Sequence, residues 1–233
     1  MVASVWLSWI PVGAGQHFVR RSTRVFETLD ARRHHRPQRT LYHAALEVQL
    51  DAERWTVEMA PAWGGPHGTH GVTVTGPVGF RRLGASRLFR YEVRVWPDGS
   101  VPDLRCAVGD PVHVATDPGR IRRLLAAGQR VPGLTWGRDE LGLGDMWNSN
   151  SLVAWLLQTS GHDVTSLAPP GGGRAPGWMA GVELARRTDQ ALSTAASSST
   201  PSTSRGPGRA HIPSASTACT KAAAGSRSPR ASA

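Results

Sequence analysis

The sequence predicts an α+β domain, an antiparallel sheet packed against a buried central helix. Three observations predict it. Tyr42–Leu50 and Arg54–Ala60 each alternate apolar and polar residues across a short Asp51-Ala52-Glu53 connection, the pattern of a hairpin. The stretch Leu152–Leu157, opened by Asn148-Ser149-Asn150-Ser151, is apolar on nearly every side, and such a helix is buried. Helical patterns are segregated from the paired strands rather than alternating with them.

The elements follow in order. Val5, Leu7 and Trp9 alternate with Ser4, Trp6 and Ser8, a strand ended by Pro11-Val12-Gly13. A helix is predicted over Ser22–His35, with Val25, Phe26 and Leu29 on one face and Pro37 as its stop. The hairpin follows. Its apolar faces coincide only if odd residues of one strand oppose even residues of the other, which gathers His43, Glu47, Thr56 and Glu58 on the polar face. Gly64–Gly71 is a loop, Gly71–Gly76 a short strand, and Leu88–Trp96 a strong strand before the Pro97-Asp98-Gly99-Ser100 turn. A helix over Pro118–Ala127 is capped by Asp117, carries Pro118 at its first position and closes at Gly128. Gly161 ends the central helix, Pro169–Gly173 is a loop, and Trp178–Arg186 reads as a short strand.

Composition divides the chain. All nine Trp lie between Trp6 and Trp178, whereas 188–233 holds no aromatic residue and is rich in Ser, Ala, Thr, Pro and Gly. Such a segment buries too little apolar surface to offset its ordering entropy. The expected organisation is one domain over 1–187 and a disordered basic tail over 188–233. The formal net charge is +10. A second basic cluster, Arg20 to Arg39 with His34 and His35, suits an anionic partner such as nucleic acid. With a single Lys in the chain, however, Arg richness reads as general composition and nucleic acid is not the expected partner. Cys106 and Cys219 make no disulfide framework or metal-ligand spacing. His67 and His70 lack further ligands nearby, so no metal and no cofactor are expected. Val2–Val12 has no basic leader and no apolar run has membrane length, so a cytoplasmic protein without a membrane span is expected.

The chemistry-bearing residues are few. At a helix N-terminus, Ser149 or Ser151 meets free N–H groups and a dipole that favour negative charge. A thiol there becomes a thiolate, but an alcohol still needs a base in contact. Asn and Ser are equally the preferred N-caps, worth about 1 kcal/mol. His43 offers an imidazole on the polar strand face, and Glu58 or Glu47 could orient it. His162, after Gly161, reads as a surface residue beside the helix C-terminus. Arg174, after the Pro/Gly loop, is a candidate anion contact.

"LYHAALEV" (41–48), "RWTVEMAP" (54–61) and "WNSNSLVAWLL" (147–157) together resemble the layout of circularly permuted papain-like proteins, a group that includes NlpC-related and lecithin retinol acyltransferase-like domains. The resemblance implies a permuted papain-like topology, His43 as base and Ser149 at the position of the family's Cys. With Ser there, thiol catalysis is lost. The implied activity is amide or ester hydrolysis or acyl transfer on a peptide or acyl substrate. Ser149 attacks, His43 is base, Glu58 orients it, and helix N–H groups with Asn148, Asn150 and Ser151 bind substrate. The alternative is a catalytically inactive module of the same fold that binds a small ligand or peptide.

Overall fold

The computed structural model describes residues 2–13, 27–63, 71–99 and 103–198. Six strands, β1 (Ala3–Pro11), β2 (Tyr42–Leu50), β3 (Glu53–Pro61), β4 (Val72–Pro77), β5 (Arg90–Pro97) and β6 (Val112–Ala115), form one antiparallel sheet in the order β4-β5-β3-β2-β1-β6. Four helices accompany it: α1, whose described part is 27–33, α2 (Pro118–Gly128), α3 (Ser149–Thr159) and α4 (Trp178–Ser198). The α+β class holds. Among the described residues no helix is long and apolar enough to cross a membrane.

The β2–β3 hairpin has the register that coincident apolar faces require, with Leu46 opposite Val57 and Leu50 opposite Glu53. Val5, Leu7 and Trp9 of β1, Leu46 and Val48 of β2, and Tyr91, Val93 and Val95 of β5 share one core with α2, α3 and α4. Burying a Leu, Val or Phe-sized side chain stabilises by about 1.5–3 kcal/mol, so this face carries most of the fold's driving force. Tyr91 and Trp147 join sheet to helix approach: the indole N–H donates to Tyr91 Oη at 3.2 Å, and Tyr91 donates to the Leu134 carbonyl at 2.7 Å. Burial pushes the Tyr91 phenol up to about 12. Gly76 lies flat on that ring, where an added Cβ would come within 2.3 Å of it.

Several expectations need correction. The opposite sheet face is not simply solvated: Ser8, Ile10, Ala45, Thr56, Glu92, Arg94 and Trp96 are all buried. On β5, Glu92 and Arg94 form a buried ion pair at 2.7 Å, which lets two charges of opposite sign occupy a core-like position. The strand predicted from Leu88 begins at Arg90; Arg87–Phe89 is a 3-10 turn that leaves Leu88 and Phe89 exposed. Helix α2 ends with Gly128 as its last residue, where an added Cβ would meet Val95 at 2.9 Å. The stretch from Trp178 is helix rather than strand, and α4 runs through the expected boundary at 187 to Ser198. Trp178, Val182 and Ala185, at spacings of four and three, are buried against α3 and the sheet. Of the predicted first helix, 22–26 lies outside the described residues.

Candidate functional site

The polar motif opening α3 forms a three-way junction. Asn148 is the N-cap: its Oδ1 accepts from the N–H groups of Asn150 (2.9 Å) and Ser151 (3.2 Å). Ser151 closes the capping box, accepting from Asn148 N–H at 3.0 Å and donating to the Met146 carbonyl at 2.9 Å. Asn150, 3 % exposed, turns its carboxamide to the sheet. Its Oδ1 accepts from Ala44 N–H at 2.7 Å, and its Nδ2 donates to the carbonyls of Tyr42 (3.0 Å) and Pro176 (2.8 Å). Asn148 Nδ2 reaches the same Pro176 carbonyl at 2.9 Å.

This arrangement has a cause in the sheet. The β2–β3 ladder ends at the Leu46–Val57 pair, so β2 from Tyr42 to Ala45 has lost its β3 partner. Buried backbone groups must be paired. Asn150 supplies the missing partner on either side of His43, and the Arg174 carbonyl accepts from Tyr42 N–H at 2.8 Å. The helix mouth is therefore docked on the stretch of strand that carries the imidazole. Asp145 secures the other side, accepting from Gly177 N–H at 2.6 Å at the start of α4. Burial pushes its carboxyl above the usual range, although backbone N–H donors oppose that.

Ser149 is the one residue of the motif not consumed by this junction. It is half-buried, and its Oγ makes no hydrogen bond among the described residues. The cap takes the Asn150 and Ser151 N–H groups, so the expected bank of helix N–H donors shrinks to that of Ser149 itself.

His43 and Ser149 are not hydrogen-bonded to one another. Tyr42, Ala44 and Leu46 point into the helix-covered core, so the alternation of β2 sends the His43 side chain to the other face. There Asp103 is the acid whose charge it feels; burial nevertheless lowers the His43 pKa. Glu58, expected to orient it, lies beyond the end of the β2–β3 ladder and opposite Arg94 of β5. Sequence reasoning missed Asp103 and the Asn150 clamp; only an Asn near the mouth of a buried helix hinted at the second.

The remaining candidates have structural roles. Arg174 is held by Glu27 and Asp30, which also bind Arg36, so four charges tie α1 to the 170s loop. Burial would raise the two carboxyls, but hydrogen bonds from Arg36 and Arg174 hold both below the usual range. His162 is not a surface residue: it is 3 % exposed, with Nδ1 2.8 Å from Ser160 Oγ at the C-terminus of α3. His67, His70, Cys219 and Arg20–Arg24 lie outside the described residues. Among the described residues no three His, Cys, Asp or Glu cluster as metal ligands.

These histidines give a pH prediction. Burial lowers the pKa of His43 and of His162 from an ordinary 6.5, so the unfolded chain binds protons that the folded chain refuses. Stability is therefore full above about pH 7 and falls as pH drops through the unfolded value towards the folded ones. Urea midpoints between about pH 7.5 and about 5 should decrease, and His43→Asn and His162→Asn should each flatten the slope. A midpoint independent of pH over that window would contradict the assignment.

The chain matches no protein-family model, and comparison with curated proteins and with solved structures finds no match.

Proposed function

We propose that this chain is a non-catalytic binding module on a papain-like layout, holding a small ligand or a peptide where α3 meets β2. The observation that carries the proposal is the division of labour in the motif. Asn148, Asn150 and Ser151 are spent on the fold, while Ser149 keeps an uncommitted hydroxyl and N–H but has no base bonded to it among the described residues. An alcohol without a general base is a hydrogen-bonding group, not a nucleophile. A donor–acceptor pair of this kind suits a carbonyl or carboxylate of the ligand.

A second reading, hydrolase or acyltransferase with Ser149 as nucleophile and His43 as base, is favoured by one observation. The Asn150 clamp holds the helix mouth to the backbone on both sides of His43. Ligand-induced closure would have to bring the ring round the open edge of β2.

Two measurements separate the readings. A fluorophosphonate probe should not label the wild-type protein; labelling abolished by both Ser149→Ala and His43→Ala would replace binding with catalysis. A capped dipeptide should shift the amide resonances of Ser149 and Asn150 in the full chain, and no shift at millimolar peptide would remove the binding reading. The geometry also predicts a gain. In Ser149→Cys, the thiol sits at the first position of a buried helix, where thiol pKa values drop by one unit or more, about tenfold more thiolate. Iodoacetamide should alkylate it near neutral pH about three times faster than Cys106, since the lower nucleophilicity of a more acidic thiol offsets part of the gain in thiolate. An equal or slower rate would place the side chain away from the helix mouth.

A further inference from the structure

We propose that the surface formed by 78–90 with Trp63 and Arg138 seats the protein on an anionic lipid surface. The sequence Val78-Gly-Phe-Arg-Arg-Leu-Gly-Ala-Ser-Arg-Leu-Phe-Arg90 contains four Arg and no acid. It folds as two single-turn 3-10 segments, Arg81–Ala85 and Arg87–Phe89, between β4 and β5. Neither turn buries a residue. Phe80 is 62 % exposed, Leu83 41 %, Leu88 66 % and Phe89 43 %. Trp63, 63 % exposed, belongs to the same surface: Ala62 N–H donates to the Arg90 carbonyl at 2.9 Å, and Arg87 Nε donates to the Ala62 carbonyl at 3.2 Å. Arg138 closes the group, its guanidinium 4.0 Å from the Phe80 ring centroid.

The backbone beneath is held firmly. Arg90 donates to the carbonyls of Gly84 (2.6 Å) and Ala85 (2.9 Å), and Gly84 lies so close to Pro77 that an added Cβ would come within 2.8 Å. The apolar side chains are thus presented by a braced loop. Of the acids outside the segment, Glu92 is paired with Arg94, whereas Asp139 and Glu140 are held in the neighbouring loop by Leu143 and Gly144 N–H groups and by Thr135. Arg81 and Arg82 are exposed beside the aromatic rings.

Five exposed apolar side chains within and beside one Arg-rich segment are more than a soluble surface commonly shows in one place without a partner. Charge complementarity requires that partner to be anionic. Single-stranded nucleic acid would use the rings for stacking but has no use for two leucines. A bilayer interface takes Trp, Phe and Leu at the acyl boundary and Arg at the phosphates, and needs no shaped groove. This is peripheral seating, independent of the ligand site at α3.

The test uses the full chain with Cys106→Ser and Cys219→Ser, carrying an environment-sensitive NBD label at Leu88→Cys or, as control, at the exposed α4 residue Leu192→Cys. Vesicles of phosphatidylcholine with about 30 % phosphatidylglycerol should blue-shift the label at position 88 and raise its emission at least about threefold. Pure phosphatidylcholine vesicles, and the label at position 192, should give no change. Phe80→Ser, Leu83→Ser and Leu88→Ser combined should leave thermal unfolding unchanged and reduce vesicle co-flotation at least about fivefold. An unresponsive label at 88, equal responses at 88 and 192, or undiminished flotation of the triple variant overturns the proposal. So does binding to single-stranded oligonucleotide in place of vesicles, which would make nucleic acid the partner.

Discussion

Asn150→Ala is expected to destabilise the domain by about 3–5 kcal/mol, read as a lowered guanidinium midpoint at unchanged slope. The figure follows from what is stranded. Removing the carboxamide leaves the Ala44 N–H and the Tyr42 carbonyl without their partner in the open edge of β2, and the Pro176 carbonyl loses one of its two donors. Each buried polar group left unsatisfied costs about 1–3 kcal/mol. Asn150→Asp sharpens the test, since it keeps the shape and the acceptor for Ala44 but turns a carboxylate towards two carbonyl oxygens. It should be no better tolerated than alanine. A loss below about 1 kcal/mol in both variants would mean that solvent replaces the clamp, and the helix mouth would not be anchored to β2 through this side chain.

Gly181→Ala is the second large effect, expected to cost about 3 kcal/mol or more and to lower the melting temperature by at least about six degrees. An added Cβ on α4 would come within 2.1 Å of the Ser151 carbonyl oxygen and 2.8 Å of its carbon on α3. The obstruction is backbone, so no rotamer change relieves it and the two helices must separate. Because the residues from Asp145 to Ser151 are braced between α3 and α4, the Ser149 amide resonance should shift as well. A Gly181→Ala protein with wild-type stability would contradict the close crossing of the two helices.

Much of the fold was legible because it is decided locally. Hairpin register follows from period-two alternation, which a one-residue slip would invert. Helix α2 carries its own punctuation, with the Asp117 side chain accepting from Arg120 N–H at 2.8 Å. The apolar run after Ser151 announced a buried helix. Errors arose where neighbours override local pattern. Leu88 and Phe89 extend the β5 alternation in sequence, yet 3-10 turns hold them outside the strand. The stretch from Trp178 read as a strand, yet it is helix packed so closely on α3 that Gly181 has no room for a side chain beside Ser151. The small polar residues after Arg187 resemble a tail in composition, although α4 continues among them to Ser198.

The candidate site divides in the same way. Capping chemistry and side-chain period need no knowledge of distant residues, and they suffice to put Asn148–Ser151 at the mouth of a buried helix and His43 on a strand. The tertiary structure alone decided which of those polar groups remain available. Separation of β3 from β2 beyond Leu46 exposes backbone that Asn150 must satisfy, and the alternation of β2 against its helix-covered face turns the imidazole to Asp103. Hydrogen-bond demand from a strand about a hundred residues away thus leaves Ser149 uncommitted, and no local pattern encodes that demand.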